Sequence, residues 1–441
     1  MDNEKQPSQV LENLLFPKIF RTFRMAIQPS KLIIAFLALA IICLVGWIMD
    51  FSRTVVTDKQ GEITELQAYL ESTHEIDAVS EFRKVCEKTG SRRGVFFTLW
   101  RFGSAKFHGA LKSLFAFDLP GVAENIAEYF KAIRWAVTYH FLYCIIFFVV
   151  KLAVISVAGG AICRIAALQF AQGEKPGPIE AIRFSAKKFL SFFTAPLVPA
   201  GIIIFAGLCI FLLGLIGKIP LGIGELIMAI FMLLALTAGF VIAFFAIGTA
   251  VGFNLMFPAI AYEGSDCLDA MERSLTYVYK KPWHMGFYTA IAVVYGAICY
   301  IFVRFFALLL LLGTHGFLRF GIRIGSSAKD SDKLTAIWPE PSFMNLLGSS
   351  DLAGANWLGI FAAFVIRLFL WAIVGLVVSF IISFYFSANT IIYSLMRSGV
   401  DNTAPDDIYI HSEETQTEPA TTESESEEPQ SETHPAPSST E

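Results

Sequence analysis

No CxxC pair, HExxH signature, GxSxG elbow or cluster of His and Cys occurs in the 441 residues, and the pair Gly217-Lys218 lacks the upstream glycine of a phosphate loop and is followed by Ile219. Each of those patterns exists because a metal, a nucleophilic serine or a nucleotide phosphate needs its ligands at a fixed spacing. Without them the sequence names no catalytic residue, no metal ligand and no cofactor, and a non-enzyme is the expectation. A lipid-modifying membrane enzyme is the minor alternative. Cysteine is little help: Cys43, Cys144, Cys163, Cys209 and Cys299 lie in apolar runs and Cys267 in a short polar loop. Cys86 is left alone in the one large polar segment and cannot close a disulfide within it.

Charge is also scarce. Charged residues make up 16% of the chain against 55% hydrophobic, with 42 phenylalanines, whereas a soluble domain carries roughly a quarter charged residues. The excess apolar surface belongs in lipid. Of the 38 carboxylates, 12 fall in residues 401–441, which hold no Lys or Arg, so residues 1–400 carry 34 basic residues against 26 acidic. A mildly basic membrane body is joined to an acidic tail. That tail, rich in Glu, Ser, Thr and Pro, has too little apolar surface to offset ordering and is expected to be disordered.

A transmembrane helix needs about 20 mostly apolar residues, and six runs qualify, predicting an all-α polytopic bundle. They are Leu32 to Met49, about Trp135 to Cys163, Phe193 to Gly217, about Glu225 through Phe257, Pro282 to about Val303, and a span within Trp357 to Tyr393. The first lacks a small-residue cleavage site after it and reads as an anchor. Leu221 to Tyr262 and Trp357 to Leu395 are nearly twice the necessary length, and each is read as one span continuing into the interface or beyond.

Lys and Arg in short loops set orientation. One side collects Lys5, Lys18, Arg21, Arg24, Lys31, Arg164, Lys175, Arg183, Lys187, Lys188, Arg273, Lys280 and Lys281. The other has Lys218, Arg319, Arg323, Lys329 and Lys333. Both termini are therefore expected in the cytoplasm of a cell with an inner membrane. The domain plan is 1–31 cytoplasmic, 32–49 first span, 50–134 exoplasmic, 135–400 a five-span body, and 401–441 the tail. Within 50–134, Gly61 to Glu71 and Ile76 to Lys88 have helical patterning, and Val122 to Trp135 reads as a helix feeding straight into span two. The stretch Phe96 to Phe115 mixes aromatics with Arg101, Lys106 and Lys112. It is either an amphipathic helix lying among headgroups or aromatic core capping the outer ends of the spans.

The most informative feature is internal similarity. Ala166 to Phe193 and Pro258 to Tyr288 each contain a Gly (Gly173, Gly264), an acid before Ala (Glu180-Ala181, Asp269-Ala270), an Arg, and a Lys pair before an aromatic (Lys187-Lys188, Lys280-Lys281). A truncated third copy ends span six, where Asn389 and Gly399 are spaced as Asn254 and Gly264 are. Duplicated helix pairs are a common way to build membrane bodies. In the second copy Asp266 suits a helix cap, and Pro178 in the first suits an initial helical position. Leu268, Met271, Leu275 and Val278 form an apolar stripe on a short interfacial helix. The lysines suit anionic headgroups, and Trp283 suits an interface anchor. Gly248 and Gly252, like Ser156 and Gly160, have the spacing of close helix contacts. Pro196, Pro199 and Pro258 are expected to kink spans three and four.

The run GFNLMFPAIAYEGSDCLDAMERSLTYVYKKPWHMGFY resembles the signature of a family of polytopic membrane proteins from planctomycete-type bacteria that has no assigned activity. More distantly it is similar to the membrane domain attached to some bacterial glycerophosphodiester phosphodiesterases. Gly252, Pro258, Glu263, Gly264, Ser265, Asp266, Asp269, Ala270, Arg273, Ser274, Pro282 and Trp283 carry the resemblance. It implies the membrane fold but no catalysis, since the distant relatives place theirs in a separate soluble domain.

Charges inside the bilayer are functional candidates by default. Lys151 reads as near mid-membrane, Arg367 as deep or at the outer interface, and Glu225 as the acid that pairs with one of them; Arg304 reads as snorkelling outward, and His140 as a helix contact. Together the first three could receive an anionic substrate. Two functions therefore compete: a non-catalytic scaffold or lipid-interacting membrane protein, with the bilayer and other membrane proteins as partners, and a transporter for an anion. Nothing points to nucleic acid.

Overall fold

The computed structural model describes residues 16–58, 63–71, 75–86, 90–220, 222–324, 334, 337–343, 345–348, 357–404 and 406–409. The acidic stretch beyond Tyr409, and with it Lys5, Lys329 and Lys333, lies outside the described residues. The architecture is all-α, with six helices long and apolar enough to cross a membrane. These are α2 (Pro29–Met49), α7 (Phe141–Ala171), α10 (Leu197–Ile216), α12 (Met232–Glu263), α14 (Pro282–Arg323) and α15 (Trp357–Asp401). Helices satisfy their own backbone hydrogen bonds, which is what an apolar solvent demands. The chain is an integral, multi-pass membrane protein.

With an even number of spans, α2 begins and α15 ends at one face, the terminal end; the described residues between 50 and 140 lie at the opposite, distal end. The terminal halves of α7, α12 and α15 form the core. Ser156, Ala158 to Leu168, Leu255 to Tyr262 and Phe386 to Met396 are buried there, and these three helices touch one another pairwise. Around them α2 leans on α7 and α15, α10 on α12, and α14 on α15. Short helices α8 (Pro178–Lys187), α9 (Phe189–Thr194) and α13 (Cys267–Lys280) close the terminal end, preceded in the chain by α1 (Arg21–Ala26).

Several boundaries differ from the sequence reading. The run from Leu221 to Tyr262 is not one helix: Gly222, at φ 74°, starts an eight-residue α11 (Ile223–Ile230), and Phe231 separates it from α12. The fifth span does not stop near Val303 but continues without interruption to Arg323, because Phe305 to Leu312 contains no helix breaker. Pro258 sits within α12 without ending it. Span two begins at Phe141, not Trp135, because α6 (Leu119–Tyr139) ends where His140 adopts φ −132°, ψ 43°.

The distal segment has its own small core. Strands β1 (Val55–Thr57) and β2 (Ser91–Arg93), which helical patterning did not announce, pair antiparallel with Val55 opposite Arg93. Helices α3 (Glu65–Glu71), α4 (Glu75–Cys86) and α5 (Val95–Phe115) follow the expected pattern. Val55, Leu66, Tyr69, Val79, Val95 and Trp135 form the buried cluster. Asp50, at the end of α2, accepts from the N–H of Phe96 (2.9 Å) and Phe97 (2.8 Å) in the first turn of α5 and from the Tyr143 hydroxyl at 3.0 Å. A carboxylate is favourable at a helix N-terminus, and this one ties the segment to two spans. Glu65 is fully buried and accepts from Arg83 at 2.6 Å, with His140 Nε2 3.7 Å away. Burial pushes its pKa up, but His140, Arg83 and the Val56 N–H outweigh that, and the carboxyl ends below its ordinary value.

Candidate functional site

The loop motif is brought together at the terminal end. Glu263, the last residue of α12, is nearly buried, and Gly264 follows at φ 63°, the left-handed conformation that ends the helix. Arg273 from α13 reaches its Oε2 with Nε at 2.6 Å, Arg397 from α15 reaches Oε1 with Nε at 3.3 Å, and the Tyr393 hydroxyl donates to the same oxygen. Tyr277 donates to Asp401 at 2.5 Å, and Arg397 also reaches Asp407 at 3.2 Å while lying over the Tyr262 ring. One carboxylate thus joins the consecutive α12 and α13 to α15, far along the chain.

The duplicated features have matching uses. Ala181 and Ala270 are both buried, and the serine four residues after each, Ser185 and Ser274, donates to a carbonyl of the preceding long helix: Ser156 at 3.0 Å and Gly252 respectively. The small pairs Ser156/Gly160 and Gly248/Gly252 therefore receive interfacial helices. A Cβ at Gly252 would come 2.8 Å from Ser274 Oγ, and one at Gly160 would overlap Ser185. The second lysine of each pair reaches across to the next copy. Lys188 donates to the Gly264 carbonyl at 2.8 Å, and Lys281 donates to that of Gly399. A cation at a helix C-terminus satisfies an orphan carbonyl and complements the helix dipole.

Other motif residues are placed differently. Asp266 precedes α13 in an extended conformation but makes no side-chain cap bond; its Oδ1 lies 3.9 Å from Lys188 instead. Asp269 is exposed, as are Pro282 and Trp283, the latter at 88%. Lys187 closes α8, and Lys280 closes α13 with its side chain exposed. Met271, Leu275 and Val278 are buried as their stripe requires, whereas Leu268 faces outward.

Lys151, Glu225 and Arg367 are exposed on three separate helices, α7, α11 and α15, and none of the described ion pairs joins them. Because α7 runs on to Ala171, Lys151 is 20 residues from its terminal end, about 30 Å. Arg367 lies 34 residues before the end of α15, about 50 Å.

Arg304, by contrast, is buried at the distal end of α14. Its Nε and Nη2 donate to the Phe343 carbonyl at 2.9 and 2.8 Å, and its Nη1 to the Tyr300 hydroxyl at 2.6 Å, with His108 Nε2 2.6 Å from the same nitrogen. These groups stand on the wall of a cavity of about 630 Å³ between α5, α6, α14, α15 and residues 345–347. Leu99, Ile126, Leu346, Val374 and Ile381 make the wall mostly apolar. Lys106, bridged to Glu128, His108 and Arg304 also line it, with no Asp or Glu among the described lining residues. The volume lies within the roughly 300–1,000 Å³ of ordinary ligand sites.

The sequence reading missed this cavity. Tyr300 and Arg304, one turn apart, were its visible half; His108 sits among the aromatics of α5, where it carried no separate signal. No protein-family model, no curated protein and no solved structure matches the chain. Among the described residues no group of three or more His, Cys, Asp or Glu could hold a metal ion.

Proposed function

We propose that this chain is a non-catalytic, lipid-interacting scaffold of a bacterial inner membrane, oriented with its terminal end in the cytoplasm and kin to the planctomycete-type family its loop motif resembles. The distal cavity carries this reading. Tyr300 of α14 and Ile381 of α15, both on its wall, stand about 27 and 30 Å along their helices from the terminal end, close to the thickness of the hydrocarbon, the level at which a lipid of the outer leaflet can reach it with an acyl chain. The apolar walls suit that chain, and Lys106, His108 and Arg304 are the polar side chains beside it. At the opposite face, the exposed Arg21, Arg24, Lys175, Arg183, Lys187 and Lys280 favour the anionic cytoplasmic leaflet, and α8 and α13 supply interfacial surface for partner proteins.

Native mass spectrometry of the full chain released from lipid vesicles tests this. The expected result is retained lipid that survives detergent exchange and is lost in Ala110→Phe, which fills the cavity from α5. A wild-type chain that carries no lipid, or a variant that carries as much, overturns it.

A further inference from the structure

We infer that the distal cavity selects a phospholipid with a net negative headgroup, phosphatidylglycerol being the representative probe; this rests on the lipid-binding reading above and gives that site its ligand class. Three features argue for it together. The first is sign: the cavity wall presents Lys106 and Arg304 and no carboxylate among its described lining residues. Glu128, the acid bridged to Lys106, is not among the described lining residues.

The second feature is rigidity. The Arg304 guanidinium is not a mobile surface cation, being held by two bonds to the Phe343 carbonyl and one to Tyr300. Tyr300 is itself 3.4 Å from His108 Nε2, and His108 Nδ1 lies 2.6 Å from the Ser104 carbonyl. A cation fixed before the ligand arrives loses no side-chain entropy on binding. The third is dielectric. Arg304 is 7% exposed beside apolar walls, so its field is screened less than that of a loop lysine. A phosphodiester near the mouth gains from it, while a zwitterionic headgroup brings its own cation into the same field and loses much of the gain.

The test uses the full chain in vesicles of equimolar phosphatidylcholine and phosphatidylglycerol, with lipid retained by the protein counted by native mass spectrometry. Phosphatidylglycerol is expected to be enriched about tenfold over phosphatidylcholine, the factor that ~1.4 kcal/mol of preference gives. Arg304→Gln should bring the ratio close to one. Because Arg304 also holds Phe343, Arg304→Lys serves as the second variant: it loses the fork but keeps the charge, and should retain most of the preference. Equal retention of both lipids by the wild type overturns the anionic assignment while leaving lipid binding intact. Retention of neither overturns both. Preferential capture of oleate from vesicles containing it overturns the phospholipid assignment.

Discussion

At the scale of single residues, the strongest element of the terminal end is a carboxylate at the end of one helix that holds two others. Glu263 is 9% exposed at its side chain, and its partners differ in burial: Arg397 is 12% exposed and Arg273 45%. Removing a buried partner leaves the opposite charge uncompensated, costing about 3–5 kcal/mol, whereas exposed pairs contribute about 0–1 kcal/mol. Thermal unfolding in nanodiscs should therefore rank Glu263→Ala as most damaging, near 3 kcal/mol, Arg397→Ala next, and Arg273→Ala least, at about 1 kcal/mol. Equal shifts for the two arginines would refute the ranking. Glu263 and Arg273 were legible as members of one loop motif, because they are close in sequence. Arg397 was not, since 134 residues separate it from Glu263 and no local pattern links them. Lys31 was legible only as a positive charge: it is wholly buried, its Nζ donating to Gln169 at 2.8 Å, a role that depends on how α2 meets α7.

At the scale of elements, the repeat written in the sequence is a repeat of joints. Each interfacial helix is seated by a buried alanine and a serine bond to the long helix before it, and the small residues expected to join span to span instead admit these short helices. Ser185→Ala and Ser274→Ala should each cost about 1 kcal/mol, the ordinary net value of a hydrogen bond. The double variant should be additive, since the two joints share no residue. Hydrogen exchange localised to α8 in one variant and α13 in the other would show it; loosening of both by either substitution would contradict separate joints. Periodicity located α8, α13 and the amphipathic α5 because one face of each is apolar. It could not locate the end of α14, where apolar residues continue beyond the bilayer thickness, nor the β1–β2 pair, three residues on each strand.

At the scale of the whole molecule, hydropathy established the six-helix membrane fold, while the distal cavity depended on four elements from distant parts of the chain and was invisible to any window. Orientation rests on the charge difference between the two ends. Cysteines placed at Asp269 and at Phe117, both exposed, should label oppositely with a membrane-impermeant thiol reagent in intact cells once native cysteines are replaced: Phe117→Cys modified, Asp269→Cys protected. The reverse pattern would invert the orientation, and equal labelling would reject the odd number of spans, α7, α10 and α12, placed between them. The lysine contacts have a consequence for biogenesis. Lys188 finds its carbonyl only after residue 264 has been made, and Lys281 only after residue 399. Each latch thus points forward along the chain, so an interfacial helix leaving the translocation machinery stays unfastened until the second long helix after it has emerged, α12 for Lys188 and α15 for Lys281.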